Sequence, residues 1–281
     1  MNTNRVQQQT ASPNLSQVNK LIVVASGKGG VGKSTTAANL ALALHRQGAR
    51  VGLFDADIYG PSQPLMLGVT DQRPEIVDGK QMIPVTAHGI VCNSVGFLVD
   101  ENQAMVWRGP MVVGAFNQIL NDTRWGELDY LVIDMPPGTG DIQLSLAQSV
   151  PVSGAVIVTT PQDVALLDAK RGIEMFRKVQ VPILGVVENM GIHICSNCGH
   201  SEHIFGEGGA DRIARSYDVE LLGSLPLDAS IREQSDAGTP AVAAAPQGSV
   251  AQIYLRIAAR VVDKLAATES GGAPAITVTD D

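Results

Sequence analysis

The chain has 281 residues, of which 44% are hydrophobic and 17% charged, a balance typical of a folded protein with a large core. Its net charge of −8 argues against broad, charge-driven binding to nucleic acid or to an anionic membrane. Because it has three cysteines, a polar start and no apolar run near the roughly 20 residues of a membrane span, we expect a cytoplasmic protein with reduced thiols.

The two ends of the chain differ in composition from its middle. Residues 1–18 are predicted to be a disordered polar arm, and residues 268–281 a disordered acidic tail. Residues 19–267 alternate short apolar runs with helical patterns, which predicts a single α/β domain. The predicted strands are 21–26, 50–55, 129–134, 154–160, 183–188 and 220–226. Most are continuously apolar, so we expect a doubly wound, mostly parallel sheet with helices on both faces.

Two of the predicted helices have a clear apolar face. The first face consists of Leu166, Ala169, Ile173 and Phe176. The second consists of Val250, Ile253, Ile257, Val261 and Leu265. The second helix has few cations on its polar face, so we predict that it docks on the core rather than on a membrane surface.

The first predicted strand runs into the sequence SGKGGVGKSTT. Gly27, four further residues and then Gly32-Lys33-Ser34 match the P-loop pattern, in the strand-to-helix setting that this pattern requires. Backbone N–H groups and the helix N-terminus would bind phosphate, Lys33 would add charge, and Ser34 would offer its hydroxyl to Mg²⁺. The predicted nucleotide-binding residues in this loop are Gly27, Lys28, Gly29, Gly30, Val31, Gly32, Lys33, Ser34 and Thr35.

Acidic loops follow two other predicted strands. In FDADIYGPS we expect Asp55 and Asp57 to be exposed near the phosphates, where they would position water and Mg²⁺. In LVIDMPPGTGD, Asp134 is predicted to be the Walker B carboxylate near Mg²⁺. Gly138 would approach the γ-phosphate through its backbone amide. Away from a P-loop, acidic loop residues would simply be solvated.

The stretch HICSNCGH holds Cys195 and Cys198 in a C-x-x-C pattern. A thioredoxin-like redox site would need a helix directly after the motif, and no helical pattern is present there. An intrachain zinc site with His200 and His203 would compress both ligand pairs into nine residues, which strains a tetrahedral site. One chain therefore supplies half a site, and two chains would supply four thiolates for a [4Fe–4S] cluster or for zinc. Cys92, in the apolar stretch GIVCNSVGF, is predicted to be a buried structural thiol.

The loop GKGGVGKST resembles the deviant Walker A motif of the nucleotide-dimerised ATPases, which include MinD, ParA, the arsenite pump ATPase and the nitrogenase iron protein. The resemblance implies a homodimer that sandwiches ATP, in which Lys28 reaches the phosphates bound by the partner subunit. It also implies that Asp57 orients the attacking water, so that Lys28, Lys33 and Asp57 are the catalytic residues. Asn189, at the end of ILGVVEN, matches a base-contacting asparagine of these ATPases, and a helix or turn cap is the alternative.

A more specific resemblance is to the Mrp/ApbC group of iron–sulfur cluster carrier ATPases. It covers residues 20–240 and rests on SGKGGVGKST, DADIYGPSQP, MVWRGPM, DMPPGTGDIQL, TTPQDVALLDAKRGI, VVENM followed by CSNCGH, and PLDASIREQSDAGTP. The resemblance implies a slow ATPase that binds a [4Fe–4S] cluster between two subunits through Cys195 and Cys198. It would receive the cluster from upstream donors and transfer it to apoproteins. Members of this group often carry a small extra domain before the P-loop, where this sequence has a short polar arm.

Two other functions fit parts of the sequence. The first is a zinc-clasped dimeric ATPase of the same superfamily that acts in protein targeting or chaperoning, but the chain has no Met-rich helical insertion to build a client groove. The second is a partitioning or positioning ATPase that moves on DNA or membrane. The acidic balance of the chain supplies no basic face for that role, so we expect neither nucleic acid nor membrane as a partner.

Overall fold

A computed structural model describes residues 12–97, 109–195 and 197–270. Most of the predicted arm and tail, and Arg108 within MVWRGPM, lie outside these residues. The strands are β1 (Val18–Ala25), β2 (Val51–Asp55), β3 (Glu75–Val77), β4 (Gln81–Ile83), β5 (Val85–Ala87), β6 (Ile90–Ser94), β7 (Leu128–Asp134), β8 (Gly154–Thr159), β9 (Ile183–Ile194), β10 (Ser201–Glu202) and β11 (Leu221–Leu227). The helices are α1 (Lys33–Arg46), α2 (Gln63–Met66), α3 (Gly109–Asp122), α4 (Asp141–Ser149), α5 (Asp163–Lys178), α6 (Gly209–Ser216), α7 (Ala229–Asp236), α8 (Ala241–Ala244) and α9 (Ser249–Ser270).

The main sheet has the order β5-β6-β2-β7-β1-β8-β9. Strand β11 pairs in parallel with β9, whereas β5 and β10 add antiparallel pairs at β6 and at the end of β9. The prediction of a mostly parallel sheet is confirmed. Its register aligns Val24 and Asp55 with Asp134, so the chain leaves β1, β2 and β7 at the same edge of the sheet.

The sheet separates two apolar layers. Ile22 and Val24 of β1 pack in the layer that contains α1 and α9, while Leu21 and Val23 pack in the layer that contains α3 and α5. Successive side chains of a strand point to opposite faces, so a strand covered on both faces must be apolar throughout. This requirement explains the continuous apolar runs in the sequence. The two layers confirm the prediction of helices on both faces of the sheet.

Both predicted helical faces are buried. Leu166, Ala169, Ile173 and Phe176 of α5 pack in the core, as do Val250, Ile257, Val261 and Leu265 of α9, with Ile253 partly buried beside them. The α9 helix therefore docks on the core, as predicted, and it ends at Ser270, past the predicted boundary at residue 267. Within the residues that the structure describes, no helix combines the length and the apolar character needed to cross a membrane.

Strand β9 is longer than the sequence predicts. The Asn-Met-Gly sequence after Glu188 predicts the end of a strand, but β9 continues to Ile194. Met190 has a φ of 59°, in the left-handed region, and the pairing with β11 shifts between Glu188 and Ile192. The left-handed residue turns the chain out of the ladder and lets it rejoin, which is the local geometry of a β-bulge.

We expect Met190→Val to be less stable than Met190→Gly by about 1–2 kcal/mol, because a left-handed backbone disfavours a Cβ, above all a branched one. Urea unfolding of the two variants measures the difference. At Val186, which pairs with Ile157 and Leu221 and has no left-handed backbone, Val186→Gly should be destabilising instead. Equal stability of the two Met190 variants would show that the backbone is not left-handed there.

Candidate functional site

The phosphate-binding loop joins the end of β1 to the start of α1. Gly32 precedes the helix with a φ of 86°, and it offers no side chain to cap the helix. The first turn of α1 contains no acidic residue, so its N–H groups and the positive end of the helix dipole are suited to an anionic ligand. This geometry is the one predicted from the P-loop pattern.

Two glycines of the loop are closely packed against neighbouring elements. A Cβ at Gly27 would lie 2.2 Å from the carbonyl oxygen of Asp168 in α5. A Cβ at Gly32 would lie 2.1 Å from Nδ2 of Asn189 in β9, at a φ that glycine alone adopts readily. The loop is therefore held between α5 and β9, and neither position has room for a side chain.

The side chain of Lys33 is buried among oxygen atoms. Its Nζ forms an ion pair with Asp134 and lies 3.5 Å from Oδ2 of Asp57 and 3.2 Å from Oγ of Ser34. Asp134 is fully buried, and Lys33 is 6% exposed. The parallel register of β1, β7 and β2 brings these residues together, although about a hundred positions separate Lys33 from Asp134 in the sequence.

The expectation that Asp55 and Asp57 are exposed is wrong, because both are buried. Asp55 accepts hydrogen bonds from the backbone N–H groups of Asp57, Ser62 and Gln63 and from Oγ of Ser94, at 3.0–3.2 Å. These bonds hold the loop from 56 to 63 closed around the carboxylate. Asp55 therefore shapes the loop, and Asp57 is the residue that faces Lys33.

Burial changes the protonation of both carboxyls. It raises the pKa of Asp55 to about 7, and the neighbouring charge of Asp134 adds to this effect. Burial also raises the pKa of Asp57, against the opposing attraction of Lys33. A carboxylate whose pKa is raised in this way accepts a proton more readily, as a general base must.

Gln63 is a site residue that the sequence did not reveal. Its Nε2 donates to Oδ2 of Asp134 at 2.8 Å and to the backbone oxygen of Ser34 at 3.0 Å. It therefore connects the loop after β2 to the carboxylate of Asp134 and to the start of α1. Gln63 lies in the stretch DADIYGPSQP, but nothing in that stretch marks the glutamine as a site residue, and only the fold of the loop brings it into the site.

The oxygen atoms of this site fit a hard divalent cation. Within the described residues, the buried atoms Asp57 Oδ1, Ser62 Oγ and Gln63 Oε1 have no hydrogen-bond partner. Buried polar atoms are nearly always paired, so unpaired oxygens in a phosphate site suit Mg²⁺ with its waters. Gln63 also donates hydrogen bonds to Ser34 and Asp134, so it connects these unpaired oxygens to the two residues that are predicted to hold Mg²⁺.

Other predicted residues of the loop have backbone roles. The N–H of Gly138 donates to the carbonyl of Ser26 at 2.9 Å. Its predicted hydrogen bond to a γ-phosphate stays a prediction, and forming it would break the bond to Ser26. Ser26 Oγ donates to the carbonyl of Lys28, whose side chain forms no ion pair with the part of the chain described here. Gly29 and Gly30 are exposed, Val31 is buried, and Thr35 is half-buried.

Asn189 contacts the loop rather than lying apart from it. Its Nδ2 donates to the carbonyl oxygen of Val31 at 3.0 Å, and the side chain is buried. The amide therefore supports the P-loop backbone directly. A contact of Asn189 with a nucleotide base stays a prediction.

Cys195 and Cys198 lie in the turn of the hairpin between β9 and β10. His193 and Ile194 pair with the two residues of β10, and the N–H of Cys195 donates to the carbonyl of His200. Cys195 is half-buried, and Cys198 is exposed. The sulfur of Cys195 accepts hydrogen bonds from the backbone N–H groups of Asn197 and Cys198 and from the Cys198 thiol, and these bonds lower the pKa of Cys195. The turn thus favours a thiolate at the surface.

Among its described residues, the hairpin supplies two thiols and no third metal ligand. Across the described residues, no three His, Cys, Asp or Glu side chains converge as a metal site would require. Nδ1 of His203 donates to the carbonyl of Gly191 at 2.6 Å, which occupies one of the histidines considered for intrachain zinc. Cys92 is buried in β6, where burial raises its pKa to about 12, as expected of a structural thiol.

Comparisons with known proteins agree with this geometry. Residues 17–262 match the family described as ParA: NUBPL iron-transfer P-loop NTPase. An iron–sulfur cluster carrier protein of Pseudomonas fragi is 63% identical over 251 residues, which cover 89% of this chain and 88% of that protein.

Solved structures show the same fold. A nucleotide-binding protein from Archaeoglobus fulgidus, solved with ADP, is 39% identical with a TM-score of 0.71, covering 80% of this chain and 88% of that one. The cell division ATPase MinD of Pyrococcus furiosus is 25% identical with a TM-score of 0.67, covering 87% and 99%. The fold is that of the MinD-type P-loop NTPases.

We expect Asp55→Asn to remove a pH-dependent loss of stability. The pKa of Asp55 rises from 3.8 in the unfolded chain to about 7, so between these pH values the folded protein retains a proton that the unfolded chain releases. The wild type should therefore lose stability relative to the variant as pH rises through this window. Urea unfolding at several pH values measures it. The half-buried control Asp129→Asn, whose wild-type pKa is lowered by Arg50, should show its effect only below that window.

We expect iodoacetamide to alkylate Cys195 before Cys198 at neutral pH, although Cys198 is more exposed, because the thiolate is the reacting form and the turn lowers the pKa of Cys195. Tandem mass spectrometry of briefly treated protein locates the first modification. Buried Cys92 should remain unmodified and serves as the internal control. Initial modification at Cys198 would contradict this account of the turn.

Proposed function

Because this chain belongs to the NUBPL family of iron-transfer P-loop NTPases, we propose that it is an ATP-dependent carrier of a [4Fe–4S] cluster held between two copies of the chain. The observation that carries the proposal is the combination of a complete phosphate site with a surface hairpin that presents two thiols and no third ligand within the described residues. We place the ATPase domain at residues 19–267.

The ATPase chemistry follows from the residues around Lys33. The N–H groups at the start of α1 and the Lys33 ammonium would bind the phosphates, and Asp57 would orient the attacking water and accept its proton. Ser34 and Asp134 would hold Mg²⁺, which, when bound, neutralises phosphate charge. Because Asp57 is buried and its pKa is raised, its orphan Oδ1 is suited to hold that water. Slow hydrolysis is what the family resemblance implies.

A homodimer would complete both sites. Two hairpins brought together supply four thiolates, the ligand set of a [4Fe–4S] cluster. Val164 and Leu167 of α5, next to the contact between Gly27 and Asp168, are exposed at 64% and 55%. Ile194, beside Cys195, is also exposed. Burying these side chains against a second copy would bring Lys28 of that copy towards the phosphates, as the deviant Walker A motif implies.

The cluster is cargo in this proposal. Its ligands lie on an exposed turn, so an acceptor thiol can reach the cluster without unfolding the carrier. Upstream donors would load it, apo iron–sulfur proteins would take it, and the carrier would work in the cytoplasm. The same four thiolates would also suit zinc, which is the alternative of a zinc-clasped dimer.

We expect anaerobic reconstitution with iron and sulfide to give one four-iron cluster per two chains. Iron and sulfide analysis, light scattering and transfer to an apo iron–sulfur acceptor measure the result. Cys195→Ala should bind no transferable cluster, because half the thiolates are lost, whereas the matched control Cys92→Ala should bind and transfer it. Lys33→Ala should lose ATP hydrolysis by roughly a hundredfold or more.

Two outcomes would contradict this function. Protein that contains zinc alone after anaerobic purification and reconstitution would favour the zinc-clasped dimer. Undiminished transfer by Cys195→Ala would show that the hairpin is not the cluster site.

A further inference from the structure

Strand β9 is the element that passes both candidate sites. Asn189 lies against the P-loop, and Cys195 follows six residues later. Six strand residues span at most about 20 Å, so one continuous segment connects the loop to the cysteine hairpin over a short distance.

The contact between Asn189 and the P-loop is tight. The Nδ2 atom donates to the carbonyl of Val31, and the Cα of Gly32 lies so close that a Cβ there would be 2.1 Å from Nδ2. The next residue is Lys33, at the start of α1. A shift of the loop backbone on binding phosphate therefore changes the position that Asn189 must adopt.

The segment immediately after this contact is free of the sheet ladder. Pairing of β9 with β8 ends at Glu188, and pairing with β11 resumes at Ile192. Residues 189–191 lie between these two paired parts, and Met190 in their middle has a left-handed φ of 59°. Strained residues between two anchored segments are suited to act as a hinge, because small backbone rotations there move everything beyond them.

Both sides of this segment are anchored. On the sheet side, buried Glu188 accepts hydrogen bonds from the N–H of Ala210 and from Oγ of Ser224, both at 3.0 Å. On the hairpin side, Nδ1 of His203 donates to the carbonyl of Gly191 and ties it to the chain that leaves β10. The P-loop thus contacts one end of the segment, and the cysteine hairpin is bonded to the other.

We propose that residues 189–191 are a hinge that couples the P-loop to the cysteine hairpin, with Asn189 as the positioning residue. Nucleotide binding moves the Val31 carbonyl, Asn189 follows it, and rotation at Met190 reorients the turn that holds Cys195 and Cys198. This inference rests on the proposed function, in which the P-loop binds ATP and the cysteine hairpin binds the cluster. It adds the path by which ATP changes the hold on the cluster.

The experiment measures cysteine alkylation in the apoprotein, with and without saturating Mg²⁺ and a non-hydrolysable ATP analogue. In the wild type, we expect the analogue to change the alkylation rate of Cys195 by at least about fivefold, the lower end of usual coupling between sites. At an analogue concentration that calorimetry shows to saturate Asn189→Ala, the rate ratio of this variant should fall to about one. Ile183→Val, at the start of the same strand and remote from both contacts, should retain the wild-type ratio.

A second variant keeps the test decisive if Asn189→Ala binds nucleotide poorly. His203→Ala leaves the P-loop untouched and removes the bond on the hairpin side, so it should also lower the ratio towards one. If either side chain had only a structural role, its loss would change the alkylation rates with and without the analogue by the same factor and leave their ratio unchanged. Thermal unfolding of each variant measures any such loss of stability.

The outcomes separate this inference from the proposed function. A wild type that binds the cluster but shows no effect of nucleotide on Cys195, or variants that retain the full ratio, would overturn the hinge and leave the carrier function standing. A nucleotide effect that the variants abolish, in a protein that binds no cluster, would support the hinge and refute the carrier function.

Discussion

The side chain of Lys33 is only 6% exposed, and the carboxylates of Asp134 and Asp57 compensate for the lost hydration of its ammonium group. This constraint determines much of the surrounding structure. Three parallel strands must end at the same edge of the sheet to deliver the three side chains, and the P-loop must turn tightly enough to send Lys33 inwards. A buried charge with one partner removed is costly, so the site is assembled as a unit.

The loop after β2 completes this unit by a different means. Asp55 gathers the backbone N–H groups of the loop around itself, and in doing so it brings Gln63 to Asp134. The energetic cost of burying Asp55 is visible in its raised pKa. In the described part of the chain, Asp57, Ser62 and Gln63 of this loop each have one buried oxygen without a hydrogen-bond partner, and oxygen atoms are the ligands that a hydrated Mg²⁺ prefers.

The cysteine hairpin differs from the buried Lys33 site, because it lies at the surface and has few hydrogen bonds. Its two thiols lie on a turn of backbone hydrogen bonds, and exposed apolar side chains lie beside it and on α5. A buried phosphate-binding loop and a pair of surface thiols suit the proposed carrier, which must release what it binds. Strand β9 is the covalent connection between them, and its irregular segment lies at Asn189–Gly191.

The sequence by itself determined the parallel sheet, the P-loop and the isolated cysteine pair, because continuous apolar runs, a glycine spacing and a C-x-x-C motif are local signals. Tertiary structure alone decided the burial of Asp55, the entry of Gln63 into the site and the continuation of β9 past Asn189. These features depend on partners far away in the chain, such as Ser94 for Asp55 and β11 for β9. Local propensity carries no information about such partners, so only the packed chain reveals which polar groups are enclosed and which strands rejoin.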